Sequence, residues 1–198
     1  MISGQETLAL VALGANLSSL AGRPAATLCE ALHRLGRAGL PACRISRFWR
    51  TPAHPPGSGP DYVNAAAMLC ARERDADAIL ATLHEVEAAL GRVRDGGRWQ
   101  ARGIDLDLLA VGDTVLPDAG GHDRWRNLPP DRQARETPDR LILPHPRLQD
   151  RGFVLAPLAE IAPGWTHPRL GLTVRAMLAA LPPEALAGIA PLVIMGRA

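Results

Sequence analysis

Two aspartates, Asp105 and Asp107, alternate with Ile104, Leu106 and Leu108 along the chain. Period 2 predicts a half-buried strand. Residues two apart share one face of a strand, so the two carboxylates stand side by side, and such a pair binds a hard cation such as magnesium through oxygen. Just upstream, Arg92, Arg94, Arg98 and Arg102 surround Trp99 in a stretch that also holds Gly91, Gly96 and Gly97. That stretch is too rich in glycine to be a good helix. Guanidinium groups grip phosphate oxygens in bidentate fashion. Carboxylates for a cation beside arginines for phosphate make a metal–polyphosphate site. The plainer alternative is a solvated strand face next to a charged loop, and the arginines immediately upstream weigh against it.

Two further pairs have the right types. Tyr62 and Asn64 share a strand face, where an aromatic ring and an amide could stack on and hydrogen-bond to a flat heterocycle; an ordinary strand-edge Tyr and a turn Asn is the equal alternative. His84 and Glu87 are three apart on a predicted helix and so are neighbours on its surface. On spacing alone that pair reads as a solvated helix face.

The elements that must position these groups follow from periodicity. Thr7 to Leu13 is a short continuous apolar run, which fits a central strand covered on both faces. A helix is predicted from about Leu20 to Leu35, with Leu28, Leu32 and Leu35 on its buried side and Pro24 tolerated in the first turn. Arg44 to Thr51 reads as a second strand, and prolines and glycines between Pro52 and Pro60 then forbid regular structure. Tyr62 to Ala71 is a third strand. Asp75 can cap a helix running to about Leu90, whose Ile79, Leu83, Val86 and Leu90 form a packed stripe. The Asp105/Asp107 strand closes the series. Strand, helix, strand, strand, helix, strand is the ferredoxin-like βαββαβ pattern of an α+β fold: an antiparallel sheet with helices on one face, the other face free for a site.

Asp113 to Arg140 is rich in Pro, Gly, Asp and Arg and predicts a long or mobile insert, with too few apolar residues to bury as a second domain. Leu141 to His145 is a short extended piece. Phe153 to Ile161 is an apolar turn or helix covering one end of the core, and Val174 to Leu181 is a weak helix. The chain then reads as one domain over residues 1–198, with an insert at 113–140 and a C-terminal extension from about 166.

Composition sets the outer bounds. Apolar residues make up 47% of 198, enough to exclude a disordered chain, and a formal charge of +2 announces no nucleic-acid partner. Every basic residue in the count is arginine, so no lysine can serve as a phosphate-binding cation or nucleophile. Cys29, Cys43 and Cys70 follow no ligand spacing and read as reduced, mostly buried thiols of a cytoplasmic protein. No signal-peptide pattern and no membrane-length apolar run is visible.

Four ordered blocks now carry a resemblance: Ala12-Leu-Gly-Ala-Asn-Leu17; Arg50-Thr-Pro52 with Pro60-Asp-Tyr-Val-Asn-Ala65; Gly91-Arg-Val-Arg94 with Arg98-Trp-Gln-Ala-Arg-Gly-Ile-Asp-Leu-Asp107; and Leu143-Pro-His-Pro146 with Arg151-Gly-Phe-Val-Leu-Ala-Pro-Leu-Ala-Glu160. The chain resembles the 6-hydroxymethyl-7,8-dihydropterin pyrophosphokinases of folate biosynthesis. That resemblance implies transfer of the pyrophosphoryl group of ATP to the pterin's hydroxymethyl oxygen, with release of AMP. It implies Asp105 and Asp107 as ligands of two magnesium ions, and Arg92, Arg94 and Arg102 with them as catalytic residues. Trp99, Arg102, His84, Glu87, Ile142, His145 and Arg151 would serve ATP. Thr51, Pro52, His54, Tyr62, Asn64, Asp105 and Phe153 would serve the pterin. The expected partners are these two small molecules, with no nucleic acid or membrane, and the expected state is a monomer. Gln100-Ala101 stands where the family commonly has Gly-Pro, Ala15 where it has Ser, and Gly103 where Thr is frequent; none of these removes a metal ligand. Two rivals stand beside this reading: an RNA-binding sheet of similar topology, and a non-catalytic nucleotide or pterin sensor.

Overall fold

The computed structural model describes residues 7–53, 57, 59–92 and 103–193. Strand β1 (Thr7–Ala15) is apolar on both faces and lies inside the sheet, antiparallel to both β4 (Tyr62–Arg72) and β5 (Asp105–Val111). The strand order is β5-β1-β4-β3-β6, with β2 (Ala42–Ile45) also on β4, β3 being Trp49–Thr51 and β6 Ala190–Pro191.

The first sheet face is covered by α1 (Pro24–Arg37) and α2 (Ala76–Ala89). Pro24 sits in the first turn of α1, and Asp75 caps α2 by accepting from the Ala78 N–H at 2.8 Å. Leu28, Leu35, Ile79 and Leu83 bury completely against Val11, Leu13, Leu106 and Leu108. Each such side chain stabilises the fold by roughly 1.5–3 kcal/mol relative to exposure. Helix α2 ends in a Schellman motif: Gly91, at φ +89°, donates to Ala88 O at 3.0 Å, and Arg92 N donates to Glu87 O at 3.0 Å. The chain therefore leaves α2 with Arg92 already bound to the helix end.

Helices also lie on the second face, which corrects the expectation of a one-sided sheet. Helix α5 (Gly152–Ile161) and α6 (Val174–Ala180) bury Leu155, Leu158, Val174 and Met177 against Leu10, Ala66 and Leu109. The physical reason is composition: α5 is apolar nearly all round and has no face fit for water. The chain is a mixed α/β protein with an antiparallel sheet, but of six strands rather than four. The single strand expected over Arg44–Thr51 is split into β2 and β3. Ile45 pairs with Ala67 and Trp49 with Asn64, so one extra residue is accommodated between them. Ser46 holds the break, its N–H donating to Ala66 O and its hydroxyl accepting from Ala66 N, each at 2.9 Å.

The insert is more ordered than its composition suggested. It carries α3 (Ala119–Arg126), capped by Asp118, and α4 (Pro130–Arg135). Among the described residues none from 117 to 140 joins either apolar core, yet His122 is fully buried. Its Nε2 bonds to Pro144 O at 3.0 Å, and its ring meets that of His167 with centroids 5.6 Å apart. Asp123 binds the Arg169 guanidinium, with 2.5 Å between Oδ2 and Nη2. The insert is thus clasped to the C-terminal extension by polar and ring contacts. That extension is itself structural, since α6 sits in the second core and β6 pairs with β3. Among the described residues, no helix is long and apolar enough to cross a membrane.

Candidate active site

Register across the sheet brings the sequence-predicted groups into rows. Asn64 of β4, Gly14 of β1 and Asp105 of β5 are direct partners in one row; Ala66, Ala12 and Asp107 form the next. Thr51 pairs with Tyr62 one row the other way. All lie on the second face, on the part left beyond α5. The alternation held: Ile104, Leu106 and Leu108 are buried on the first face while both aspartates keep partial exposure.

The floor between the polar groups is made of the small residues Gly14, Ala12 and Ala66. Gly14 is required, because a Cβ there would stand 2.7 Å from Asn64 Oδ1. Asn64 is itself buried, and its amide nitrogen donates to the Thr51 hydroxyl at 2.7 Å, which fixes the amide plane. Tyr62 is partly buried beside it.

The acidic side is already populated with arginine. Arg92 Nη1 lies 2.5 Å from Asp105 Oδ1 and also pairs with Glu87 Oε1. Desolvation works against the charge on Arg92, but Asp105 and Glu87 outweigh it and hold the guanidinium more firmly charged than usual. Arg151 Nη1 stands 3.4 Å from Asp107 Oδ2, and its guanidinium carbon lies 5.7 Å from the Phe153 ring centre. Phe153 is 39% exposed, so it is open to a ligand rather than committed to the core.

Glu87 overturns its surface reading. It is 1% exposed, and Oε1 accepts the Leu106 N–H at 2.8 Å. The signal was present in the sequence: Glu87 is four residues after Leu83 and three before Leu90, at the edge of the buried stripe. His84, one turn earlier on α2, is half-exposed.

His145 is tied to the end of β5 by its N–H, which donates to Leu109 O at 2.8 Å. Its Nδ1 accepts from Arg147 N at 3.1 Å, which assigns the ring proton to Nε2. Burial, then Arg151, then Arg147, push its pKa well below the usual range, so the ring is neutral. Arg147 was missed by sequence reasoning. It is half-buried, its Nε is without a hydrogen-bond partner, and burial and Arg151 lower its pKa. The available signal was its spacing of four from Arg151 beside His145. Ile142 is buried at the base of this turn, and Pro52 is exposed. His54, Arg94, Arg98, Trp99 and Arg102 lie outside the described residues.

The donor set suits magnesium. Among the described residues no cluster of three or more His, Cys, Asp or Glu could hold a metal by itself. Two partly exposed carboxylates leave most positions of an octahedral ion to water and phosphate oxygens, as magnesium prefers.

The family model described as 7,8-dihydro-6-hydroxymethylpterin-pyrophosphokinase matches residues 10–163. A 2-amino-4-hydroxy-6-hydroxymethyldihydropteridine pyrophosphokinase of Methylorubrum extorquens is 35% identical over 183 residues, covering 91% of this chain and 97% of that one. A pyrophosphokinase of the same description from Synechocystis is 35% identical over 154 residues, covering 78% of this chain and 67% of that one. The wild-type HPPK-DHPS of Plasmodium falciparum has a similar fold, with a TM-score of 0.61 at 13% identity. That match covers 90% of this chain but 45% of the longer one. The matched span runs from β1 to the end of α5 and so takes in both aspartates, the amide row and the His145–Arg151 turn; on that span, the chain belongs to the 7,8-dihydro-6-hydroxymethylpterin-pyrophosphokinase family.

Proposed function

We propose that the open part of the second sheet face is where the chain passes the pyrophosphoryl group of ATP to 6-hydroxymethyl-7,8-dihydropterin. Family membership makes the chain an ATP-dependent pyrophosphokinase of folate biosynthesis, with ATP as co-substrate. The observation that carries the placement is the row Asn64–Gly14–Asp105, which puts a fixed amide and a carboxylate on either side of a glycine floor.

Asn64 hydrogen-bonds the pterin, Tyr62 and Phe153 stack on it, and backbone groups of Thr51, Pro52 and His54 read its edge. Asp105 and Asp107 hold magnesium, two ions in this reading. When bound, magnesium neutralises phosphate charge and aligns the attacking and leaving oxygens. Arg92 and Arg151 turn from the aspartates to phosphate oxygens as the nucleotide arrives, joined by Arg94 and Arg102 of the arginine loop. His145, neutral with its proton on Nε2, donates a hydrogen bond to a phosphate oxygen without adding charge. Trp99, His84 and Ile142 flank the nucleotide. The nucleophile is a primary alcohol and no strong base stands beside the row among the described residues, so the chain works by positioning and electrostatic stabilisation.

The order β1, α1, β2/β3, β4, α2, β5 supports a ferredoxin-like core to which β6, α5 and α6 have been added, within one domain. The three thiols are free, and Cys29 and Cys43 are exposed rather than buried as expected; free thiols support a reducing, cytoplasmic setting, and the chain works as a monomer in this reading. The test is AMP release on mixing ATP, magnesium and the pterin. AMP formed only when all three are present is the expected result. Tight binding of either substrate without AMP would instead make the chain a sensor.

A further inference from the structure

We propose that Glu87 is a positioning residue that acts through Arg92: its carboxylate keeps that guanidinium from closing off Asp105, and so keeps Asp105 available to a divalent cation. The inference rests on reading Asp105 and Asp107 as the cation site.

Glu87 is too deeply buried to be a surface ligand for the nucleotide. Among the described residues, its carboxylate meets two groups from beneath the sheet. Oε1 accepts the N–H of Leu106, the residue between the two aspartates, at 2.8 Å. It also meets Arg92 Nη1. The backbone of Glu87 holds the same arginine, through the bond from Arg92 N to Glu87 O at 3.0 Å. One side chain thus ties the end of α2, the base of the arginine loop and the first turn of the acidic strand together.

The consequence follows from charge. Arg92 Nη1 lies 2.5 Å from Asp105 Oδ1. A guanidinium and a divalent cation repel one another, so one carboxylate oxygen does not hold both. A cation can take Asp105 only if Arg92 moves off it. Burial makes an unpaired guanidinium costly. Glu87 removes that obstacle, because Arg92 keeps one carboxylate when it leaves the other. Without the Glu87 charge, the carboxylate partner left to Arg92 among the described residues is Asp105, and the ion pair competes directly with the metal.

The test is a cycle of four full-length proteins: wild type, Glu87→Gln, Arg92→Met and the double variant. Gln keeps an oxygen acceptor for the Leu106 N–H, so the strand anchor survives. Binding of manganese with a non-hydrolysable ATP analogue is read by water-proton relaxation, which needs no turnover. Glu87→Gln should weaken manganese binding about tenfold, the scale of one charge-assisted contact. In the Arg92→Met background the same change should have no effect, since the competitor through which Glu87 is proposed to act is gone. A merely structural role would give equal losses in both backgrounds, and that outcome, or no loss in either, overturns the proposal. Should Glu87→Gln alone fail to fold, Arg92→Met and the double variant still decide the matter: equal affinities support the proposal and unequal ones refute it. If the wild type shows no manganese-dependent binding of the analogue, the cation site itself falls and the role of Glu87 with it.

Discussion

Two clusters of arginine and carboxylate are built from the same groups in opposite proportions. At the acidic strand, among the described residues, Arg92 lies between two carboxylates, Glu87 and Asp105, and Arg151 stands by a third, Asp107. At the insert, one carboxylate, Asp123, lies between two guanidiniums, Arg169 and Arg126. Asp123 receives Arg169 as a fork, through Nε at 3.3 Å and Nη2 at 2.5 Å, and this pairing holds its pKa down to about 2. In the reading proposed above, the first cluster accepts a cation in exchange for its arginine. Among the described residues, the second has no carboxylate to spare and is flanked by the neutral imidazoles of His122 and His167. The ratio of charges, rather than their presence, separates a site that exchanges partners from a clasp that keeps them.

Removing one carboxylate from each cluster separates the two most sharply. Asp105→Asn or Asp107→Asn should fold normally and lose turnover by at least about 10²-fold, the scale of one lost electrostatic stabiliser. Asp123→Asn should lower the thermal midpoint and leave AMP release at the wild-type level. Normal turnover in both strand variants would return that pair to a solvated strand face.

A smaller effect is expected next to the acidic strand. Asn64→Ala should weaken pterin binding by roughly 1–3 kcal/mol, the cost of one buried hydrogen bond, with ATP affinity nearly intact in calorimetry. Equal weakening of both ligands would show that the amide does not separate the two subsites.

The clasp can be cut out. Composition alone predicts that replacing residues 120–137 by a short flexible linker costs little, because loop-closure entropy depends weakly on length. The buried His122 and the Asp123–Arg169 pair revise that expectation. The replacement should lower the thermal midpoint measurably, while the protein that remains folded keeps its turnover. An unchanged midpoint would mean that the clasp has no energetic weight.

Acid should open the clasp in two stages. Burial, then His122 and Arg126, lower the His167 pKa from 6.5 to about 4, and burial lowers that of His122. A depressed histidine binds more protons unfolded than folded. Its contribution is present above pH 6.5 and is lost as pH falls through about 4. Asp123, lowered from 3.8 to about 2, gives way over that lower window. Urea unfolding at stepped pH should show the first loss, and His167→Gln should flatten it. An unaltered slope in that variant would assign the acid sensitivity elsewhere, with His145 the next group to test.

Legibility in the sequence followed the range of the interactions. Asp105 and Asp107 were placed on the right strand face because strand alternation is local, and α1, α2 and the Asp75 cap of α2 were found within a few residues for the same reason. The second strand was read as continuous because the Ser46 hydroxyl replaces a ladder carbonyl, and nothing in Ser46 itself announces that. The second-face helices were underestimated, although α5 carries its own signal in being apolar nearly all round. His122 gave no signal at all. Its burial depends on His167 and Pro144, 45 and 22 residues away, and long-range docking of a polar segment has no period to detect. Glu87 lay between these cases, since its place on the stripe was visible but its partners were not.

The ends of the sheet carry a consequence for the chain in a crowded solution. An open sheet offers its outer strands to other chains, and proteins blunt such edges with proline or with charge. One edge here finishes on β6, where Pro191 faces Trp49 and has no N–H to offer a further strand. The other edge is β5, on which Asp105 and Asp107 stand. The acidic pair adds charge to an edge whose Leu106 N–H and Leu109 carbonyl are already taken by Glu87 and His145, so neutral replacements there bear on colloidal behaviour as well as on chemistry.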